Sequence, residues 1–221
     1  MVNIQSYLSR LTEMLRKEFG QRLLYVGLQG SYMREEAGEN SDIDIMVILD
    51  ELTVHDLDVY RGLVQSLESY DKSCGFICGE KDLANWNPLE IRNLLGSTRD
   101  YYGHLRDFVP AYGEQDLRNF VKMSLNNLYH ELCHRYIHAD RAANEACLPF
   151  TYKGVFFILQ NLHCLRTGNF PETRAALLEV LEGDDRAVLE RSNAMKRGEV
   201  FDFAESYALL FSWCRDTLQT V

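Results

Sequence analysis

The sequence has 221 residues, 46% of them hydrophobic, which is enough for one large domain or two small domains with buried cores. Its formal net charge is −10 and its basic residues are scattered, so we expect no nucleic-acid partner. The longest apolar run, Val155 to Leu159, is too short to span a bilayer and the N-terminus lacks a signal-peptide pattern, so we expect a cytoplasmic protein with no membrane partner.

The first ninety residues alternate between helical and strand patterns. Apolar residues at helical spacing predict a first helix over 3–19 that ends at Gly20. A second helix is predicted over 53–70, capped by Thr53 with Asp56 three residues later. Short apolar runs predict three strands, at 23–28, 43–49 and 74–78. This half is therefore predicted to be an α/β unit.

The six cysteines form no C-x-x-C pair, and a reducing compartment favours buried free thiols. Cys74 and Cys78 lie on one predicted strand, about 13 Å apart at about 3.3 Å per residue, which is too far for a disulfide. We expect both to be core residues.

From Pro88 onward the strand patterns stop and helical periods continue towards the C-terminus. The predicted helices are 88–95, 114–140, 150–166, 172–182, 184–196 and 199–219. The stretch from Thr98 to Gly103 is the predicted junction. The sequence thus predicts an α+β protein with a mixed-sheet domain over 1–97 and an all-helical, acceptor-binding domain over 98–221.

The candidate functional residues are polar residues around the second predicted strand. Gly30-Ser31 follows the first strand, and about ten residues later Asp42 and Asp44 alternate with isoleucines. Two carboxylates spaced two apart on a strand share one face and form a hard-oxygen site that suits Mg²⁺. Taken singly, Gly30-Ser31 would be typical of a turn, and Ser41-Asp42 would be typical of a helix cap or a strand start. Burial of carboxylates in an apolar strand, however, costs free energy unless a cation is bound.

This combination resembles the signature of the polymerase-β nucleotidyltransferase superfamily. The resemblance implies a Mg²⁺-dependent nucleotidyltransferase in which Asp42 and Asp44 are catalytic metal ligands, with two ions when nucleotide is bound. It also implies that Gly30 and Ser31 cradle the phosphates of ATP. Arg34 matches the arginine of the family's Gly-Ser-x-x-Arg form and is implied to contact the triphosphate.

The same resemblance suggests two further candidate site residues. The family usually carries a third carboxylate on a later strand, but the predicted strand 74–78 has none, and only Asp71 and Glu80 flank it. Glu80 is our candidate for that catalytic role. In the helical half, relatives that act on small molecules place a lysine where Lys153 stands, which implies a triphosphate contact; a solvated surface lysine is the equal alternative.

Residues 130–134 read His-Glu-Leu-Cys-His, the H-E-x-x-H pattern of zinc proteases. A third zinc ligand is lacking: along a continuous helix Glu145 lies about 16 Å from His134, and His138 lies roughly 12 Å from His130. We therefore predict no zinc. Either this is a polar helix face, or Glu131 or a histidine serves as the acceptor-site base, and Glu131 is our candidate catalytic residue.

Together these features predict an enzyme that transfers a nucleoside monophosphate from a nucleoside triphosphate, ATP, to a hydroxyl of a small molecule, with an aminoglycoside-like acceptor as the leading example. The acceptor is expected in a cleft between residues 22–90 and the helical domain, facing Lys153 and Glu131. Two alternatives stay open: an antitoxin-like regulatory nucleotidyltransferase, and a catalytically inactive nucleotide-binding module.

Overall fold

The computed structural model describes residues 2–221, which form two compact units, one ending at Ala111 and one from Tyr112 to Val221. The predicted α+β class is confirmed. The predicted boundary at 97/98 falls inside the first unit, because residues 98–102 form a strand of its sheet. No helix among the described residues has both the length and the apolar character needed to cross a membrane.

The N-terminal unit contains the three predicted strands, the three predicted helices at its start, middle and end, and several short elements. Its elements are α1 Ile4–Phe19, β1 Leu23–Gln29, α2 Gly30–Met33, β2 Ile43–Leu49, α3 Val54–Gln65, β3 Ser73–Gly79, α4 Glu80–Ala84, α5 Pro88–Gly96 and β4 Thr98–Tyr102. Helix α1 ends at Gly20, whose φ of 57° suits glycine. Thr53 and Asp56 form the predicted capping box of α3.

The four strands form a mixed sheet in the order β3-β2-β1-β4. Strand β1 is antiparallel to β2 and β4, whereas β2 and β3 are parallel. Alternate residues of β2 enter two cores: Ile43 and Ile45 pack in the cluster that contains α1, and Met46 packs on the opposite face with Tyr25 and Leu83. Strand β2 is therefore buried on both faces and paired along both sides.

Three predictions in this unit need correction. Helix α3 ends at Gln65 rather than 70, and Ser69, with φ of 66°, leads into a single 3₁₀ turn over residues 70–72. Strand β4 was not predicted, because its exposed polar residues show no apolar alternation and its formation depends on pairing with β1. The core prediction is confirmed for Cys78 but is wrong for Cys74, which is exposed.

Residues 112–221 contain helices and no strand. The helices are α6 Glu114–His138, α7 Arg141–Thr167, α8 Arg174–Val180, α9 Gly183–Lys196 and α10 Phe203–Thr220. Their core includes Leu125, Phe156 and Leu210. Helix α7 begins at Arg141, capped by Asp140, and not at the predicted residue 150, because it continues through Pro149.

Candidate active site

The two predicted carboxylates lie at the start of the central strand. Asp42 is exposed and directly precedes β2, and Asp44 is half-buried within it. Ile43 and Ile45 are fully buried against α1. Because side chains alternate along a strand, burial of the two isoleucines turns Asp44 to the opposite face of the sheet. The apolar alternation therefore fixes the direction of the carboxylate.

Gly30 packs directly against Asp44. A β-carbon on residue 30 would lie 1.9 Å from Oδ2 and 2.9 Å from Cγ of Asp44, and the φ of Gly30 is +67°. Strands β1 and β2 are antiparallel with Leu28 opposite Ile45, so the end of β1 lies beside the start of β2. Only glycine fits this contact without displacing the carboxylate.

The donor set fits Mg²⁺ shared with a phosphate-bearing substrate. Asp42 and Asp44 offer carboxylate oxygens, the ligands that Mg²⁺ prefers, and the missing side chain of Gly30 leaves the backbone close to Asp44. Among residues 2–221 there is no group of three His, Cys, Asp or Glu side chains that could hold an ion without other ligands. A magnesium ion here would therefore need ligands from water or substrate as well.

The segment after Gly30 forms a single helical turn, α2, that contains Ser31 and is followed by Arg34. Ser31 is half-buried. The Arg34 side chain is 11% exposed, and its Nε lies 3.5 Å from Oε2 of Glu36. The guanidinium is thus already ion-paired, and the predicted triphosphate contacts of Ser31 and Arg34 stay predictions.

Gln29 fixes the end of β1 just before this turn. Its Nε2 donates to Thr98 Oγ1 at 2.8 Å, and Thr98 Oγ1 donates to the carbonyl of Leu94 at 2.7 Å. This chain of hydrogen bonds links β1 to β4 and to the end of α5. It positions Gly30 with respect to the rest of the sheet.

Cys74 lies beside Asp44, which the sequence did not indicate. The parallel register of β2 and β3 pairs Asp44 with Cys74. Partial burial raises the pKa of the Cys74 thiol, and the neighbouring carboxylates of Asp44 and Asp42 raise it further. The thiol is therefore protonated at neutral pH and adds no charge to the carboxylate pair. Strand β3 presents a neutral group at this position.

Glu80, our candidate for the third catalytic carboxylate, lies far from Asp44 along the sheet. The parallel register runs from Ile43 opposite Ser73 to Leu49 opposite Gly79, so Glu80 begins α4 at the far end of β3. Glu80 follows Cys74 by six residues, which is about 20 Å along a strand at about 3.3 Å per residue. It therefore cannot complete a metal site at Asp44.

In the helical unit, Glu131 is fixed by two neighbours. Its Oε1 accepts hydrogen bonds from Arg135 Nε at 3.1 Å and from Thr151 Oγ1 at 2.9 Å. It borders a groove of about 440 Å³ between α6 and α7, whose lining includes Phe120 and Phe157. Lys153 lies exposed on α7, close in sequence to the groove residues Thr151 and Gly154.

The three histidines of α6 lie along one exposed helix face. The ring centroids of His130 and His134 are 5.9 Å apart, and those of His134 and His138 are 4.8 Å apart. The residues described include no third ligand that would close a metal site with them. Whether the protein is free of zinc stays a prediction.

Residues 8–99 match the family model of the nucleotidyltransferase domain. The match spans Gly30, Ser31, Arg34 and both aspartates, together with the strands that position them. Residues 8–99 of the N-terminal unit therefore form a nucleotidyltransferase domain of the polymerase-β type. No protein of curated function matches the sequence.

A solved structure of similar fold is the spectinomycin adenyltransferase AAD(9) from Enterococcus faecialis, determined with ATP and spectinomycin. It has a TM-score of 0.61 and 14% identity, over 97% of this chain and 99% of that chain, so the shared fold extends through the helical part. A nucleotidyltransferase-like protein from Exiguobacterium sibiricum 255-15 has a TM-score of 0.41 and 12% identity, over 95% of this chain and 74% of that chain. A toxin-antitoxin structure with AMP-PNP has a TM-score of 0.33 and 23% identity, over 58% of this chain and 92% of that chain.

Proposed function

We propose that this protein transfers a nucleoside monophosphate from ATP to a hydroxyl of a small molecule, with Mg²⁺ as the cofactor. The observation that carries the proposal is the packing of Gly30 against Asp44 within the matched nucleotidyltransferase segment. The spectinomycin adenyltransferase of similar fold was determined with ATP and spectinomycin, which supports ATP as the donor and a hydroxyl-bearing ring compound as the acceptor.

Each residue of the N-terminal site has a defined part in this reaction. Asp42 and Asp44 would hold Mg²⁺, and Gly30 would let the backbone approach the triphosphate of ATP. Bound Mg²⁺ supplies charge neutralisation for the departing pyrophosphate and lowers the pKa of the attacking hydroxyl. The acceptor oxygen bonds to the α-phosphorus, the bond from that phosphorus to the β-bridging oxygen breaks, and pyrophosphate leaves.

The hydroxyl proton of the acceptor must pass to a base. Glu131 is our candidate, because Arg135 and Thr151 hold its carboxylate in one orientation at the edge of a groove. We assign Lys153 to the triphosphate.

The acceptor is proposed to be a cationic, aminoglycoside-like molecule of the cytoplasm. The formal net charge of −10 favours a positively charged ligand over a polyanion such as nucleic acid. The carboxylates of Asp42 and Asp44 add negative charge at the site itself before Mg²⁺ binds.

A regulatory nucleotide-binding protein, antitoxin-like or catalytically inactive, is the second candidate. Cys74 favours it, because a protonated thiol occupies the position beside Asp44 where a third carboxylate on β3 would lie. Such a protein would bind Mg²⁺ and ATP without rapid transfer to a small molecule.

One experiment separates these functions. The protein is incubated with Mg²⁺ and ATP labelled at the α-phosphate, with a panel of spectinomycin, streptomycin, a lincosamide and candidate protein partners; Asp44→Asn is the control. Label on a small molecule supports the proposed enzyme, and label on a protein supports the regulatory candidate. Binding of ATP without transfer supports the inactive module, and no binding of Mg²⁺-ATP would overturn all three.

A further inference from the structure

Two aromatic side chains stack on the sheet face that carries Asp44. Phe76 on β3 and Trp86, in the turn between α4 and α5, have ring centroids 6.1 Å apart and an interplanar angle of 25°. Trp86 is 38% exposed, and its Nε1 donates to Oε2 of Glu90 at 2.6 Å. The indole therefore remains accessible to a ligand.

The sheet register places this pair next to the carboxylates. Asp44 lies opposite Cys74 and Met46 lies opposite Phe76, so Cys74 and Phe76 share the face of Asp44. Adjacent strands are about 4.8 Å apart and a step of two residues is about 6.6 Å, which puts the Cα atoms of Phe76 and Asp44 about 8 Å apart. The aromatic pair therefore borders the proposed metal site.

If the proposed function holds, the strand order determines whether ATP or the acceptor contacts Phe76 and Trp86. Gly30 lies on the β1 side of β2, and Phe76 lies on the β3 side. In an in-line displacement the attacking and leaving oxygens lie on opposite sides of phosphorus. With the leaving pyrophosphate beside Gly30, the acceptor hydroxyl must approach from the β3 side, where Trp86 is exposed.

We propose that the Phe76–Trp86 pair is the platform on which the ring of the acceptor stacks, and that Trp86 with Glu90 selects a cationic ring. The face of an indole attracts cations more strongly than other aromatic side chains do. Glu90, which accepts the indole N–H, adds a carboxylate at the edge of the platform. A saturated ring that carries amino groups can interact with the indole and with the carboxylate. Its C–H face contacts the indole, and its ammonium group pairs with the carboxylate of Glu90.

The fluorescence of Trp86 tests binding directly. The chain has two tryptophans, and Trp213 is 2% exposed with its Nε1 bonded to Asp185, so Trp86 is the one that a ligand can reach. The protein is titrated with spectinomycin, streptomycin or myo-inositol, each with Mg²⁺ and a non-hydrolysable ATP analogue. We expect the two cationic compounds to change the emission and the neutral inositol to leave it unchanged, with no response in Trp86→Phe.

Kinetics of substitution at the platform provide the second measurement. Trp86→Ala should raise the KM for the acceptor about tenfold, the size of one stacking contact, and leave the KM for ATP unchanged. Trp86→Phe keeps an aromatic ring, so its KM for the acceptor should lie between those of the wild type and Trp86→Ala. Tyr101→Ala is the matched control: Tyr101 is 40% exposed in the same unit but faces α1 on the other side of the sheet, and its replacement should change neither KM.

The outcomes separate this inference from the proposed function. If Mg²⁺-ATP does not bind, both are wrong. If the ATP analogue alone changes the Trp86 emission, or if Trp86→Ala raises the KM for ATP, the platform holds the nucleobase and the inference is overturned. If Mg²⁺-ATP binds while neither cationic compound changes the emission, the nucleotide site stands and the acceptor platform is wrong.

Discussion

Asp44 and Cys74 face each other across the parallel pairing of β2 and β3, so the strand next to the carboxylates presents a thiol instead of a third acid. Cys74→Asp should therefore convert a two-carboxylate site into a three-carboxylate site. We expect tighter Mn²⁺ binding without nucleotide, by about tenfold, and a lower melting temperature without metal because like charges repel.

Isothermal titration with Mn²⁺ measures this affinity, and thermal unfolding with and without the ion measures the stability. Cys74→Ser, which introduces no charge, is the control and should behave like the wild type in both. Equal Mn²⁺ affinity in Cys74→Asp and the wild type would show that residue 74 does not contribute to the metal site.

Asp42→Asn and Asp44→Asn should each abolish Mg²⁺-dependent nucleotide turnover. Both substitutions keep the shape of the side chain and remove a charged metal ligand, so we expect changes in unfolding free energy within about 0.5 kcal/mol. Steady-state turnover of labelled ATP and chemical denaturation give the two quantities. Wild-type turnover in both variants would contradict the two-carboxylate metal site.

Gly30→Ala should strongly reduce turnover, because the added β-carbon would displace the carboxylate of Asp44. Gly20→Ala is the matched control: Gly20 has a φ of +57°, but a β-carbon there would meet no atom within 4 Å, so it adds only backbone strain of about 1–2 kcal/mol. Comparison of kcat and of melting temperature in the two variants separates the effect of the contact with Asp44 from the effect of backbone strain. Equal activity in both would mean that the contact with Asp44 is unimportant.

Lys153→Ala and Glu131→Gln should affect different steps if both residues act in the proposed transfer. Loss of the lysine should raise the KM for ATP or lower kcat, whereas loss of the carboxylate should mainly lower kcat. Lys122→Ala, at another exposed position of the helical unit, is the control for loss of positive charge. Unchanged kinetic constants in Lys153→Ala would leave that lysine as a solvated surface residue.

The ion pair between Asp56 and Arg22 should make stability depend on pH. Arg22 Nη1 and Nη2 donate to Asp56 at 2.8 and 3.0 Å, and hydrogen bonds from Arg22 and from Thr53 hold the pKa of Asp56 well below its ordinary value. Because the folded-state pKa is depressed, the pair stabilises above the unfolded pKa of about 3.9, and this stabilisation is lost as the pH falls further.

Asp56→Asn should therefore lower the melting temperature at pH 7, and the difference from the wild type should shrink as the pH is lowered from 4 towards 2. Thermal unfolding across this pH range measures the effect. Asp58→Asn, on the same helix with an exposed partner, should show a much smaller difference. A constant difference across the range would mean that the ion pair is not the source of the stability.

The contact between Gly30 and Asp44 could be anticipated from sequence because it depends on local patterns. The spacing from Gly30 to Asp44 and the apolar alternation around Ile43 and Ile45 are properties of one short segment. The positions of Cys74 and Glu80 relative to Asp44 depend instead on the direction and register in which β3 pairs with β2, which no local pattern specifies.

The same reason accounts for the errors in the fold. Strand β4 has no apolar alternation of its own and forms through hydrogen bonds to β1, so the domain boundary was placed too early. Helix α7 continues through Pro149, because burial of residues on both sides of the proline outweighs its local preference.

The order β3-β2-β1-β4 has a dynamic consequence for the carboxylates. Exposed ends of a sheet open first in local fluctuations, and a strand paired on both sides opens only after a neighbour has detached. Because β2 is paired on both sides, the backbone that carries Asp44 belongs to the slowest-opening part of the domain, whereas β3, with Cys74 and Phe76, lies on an edge. The edge strand can thus move while the two carboxylates on β2 stay in register.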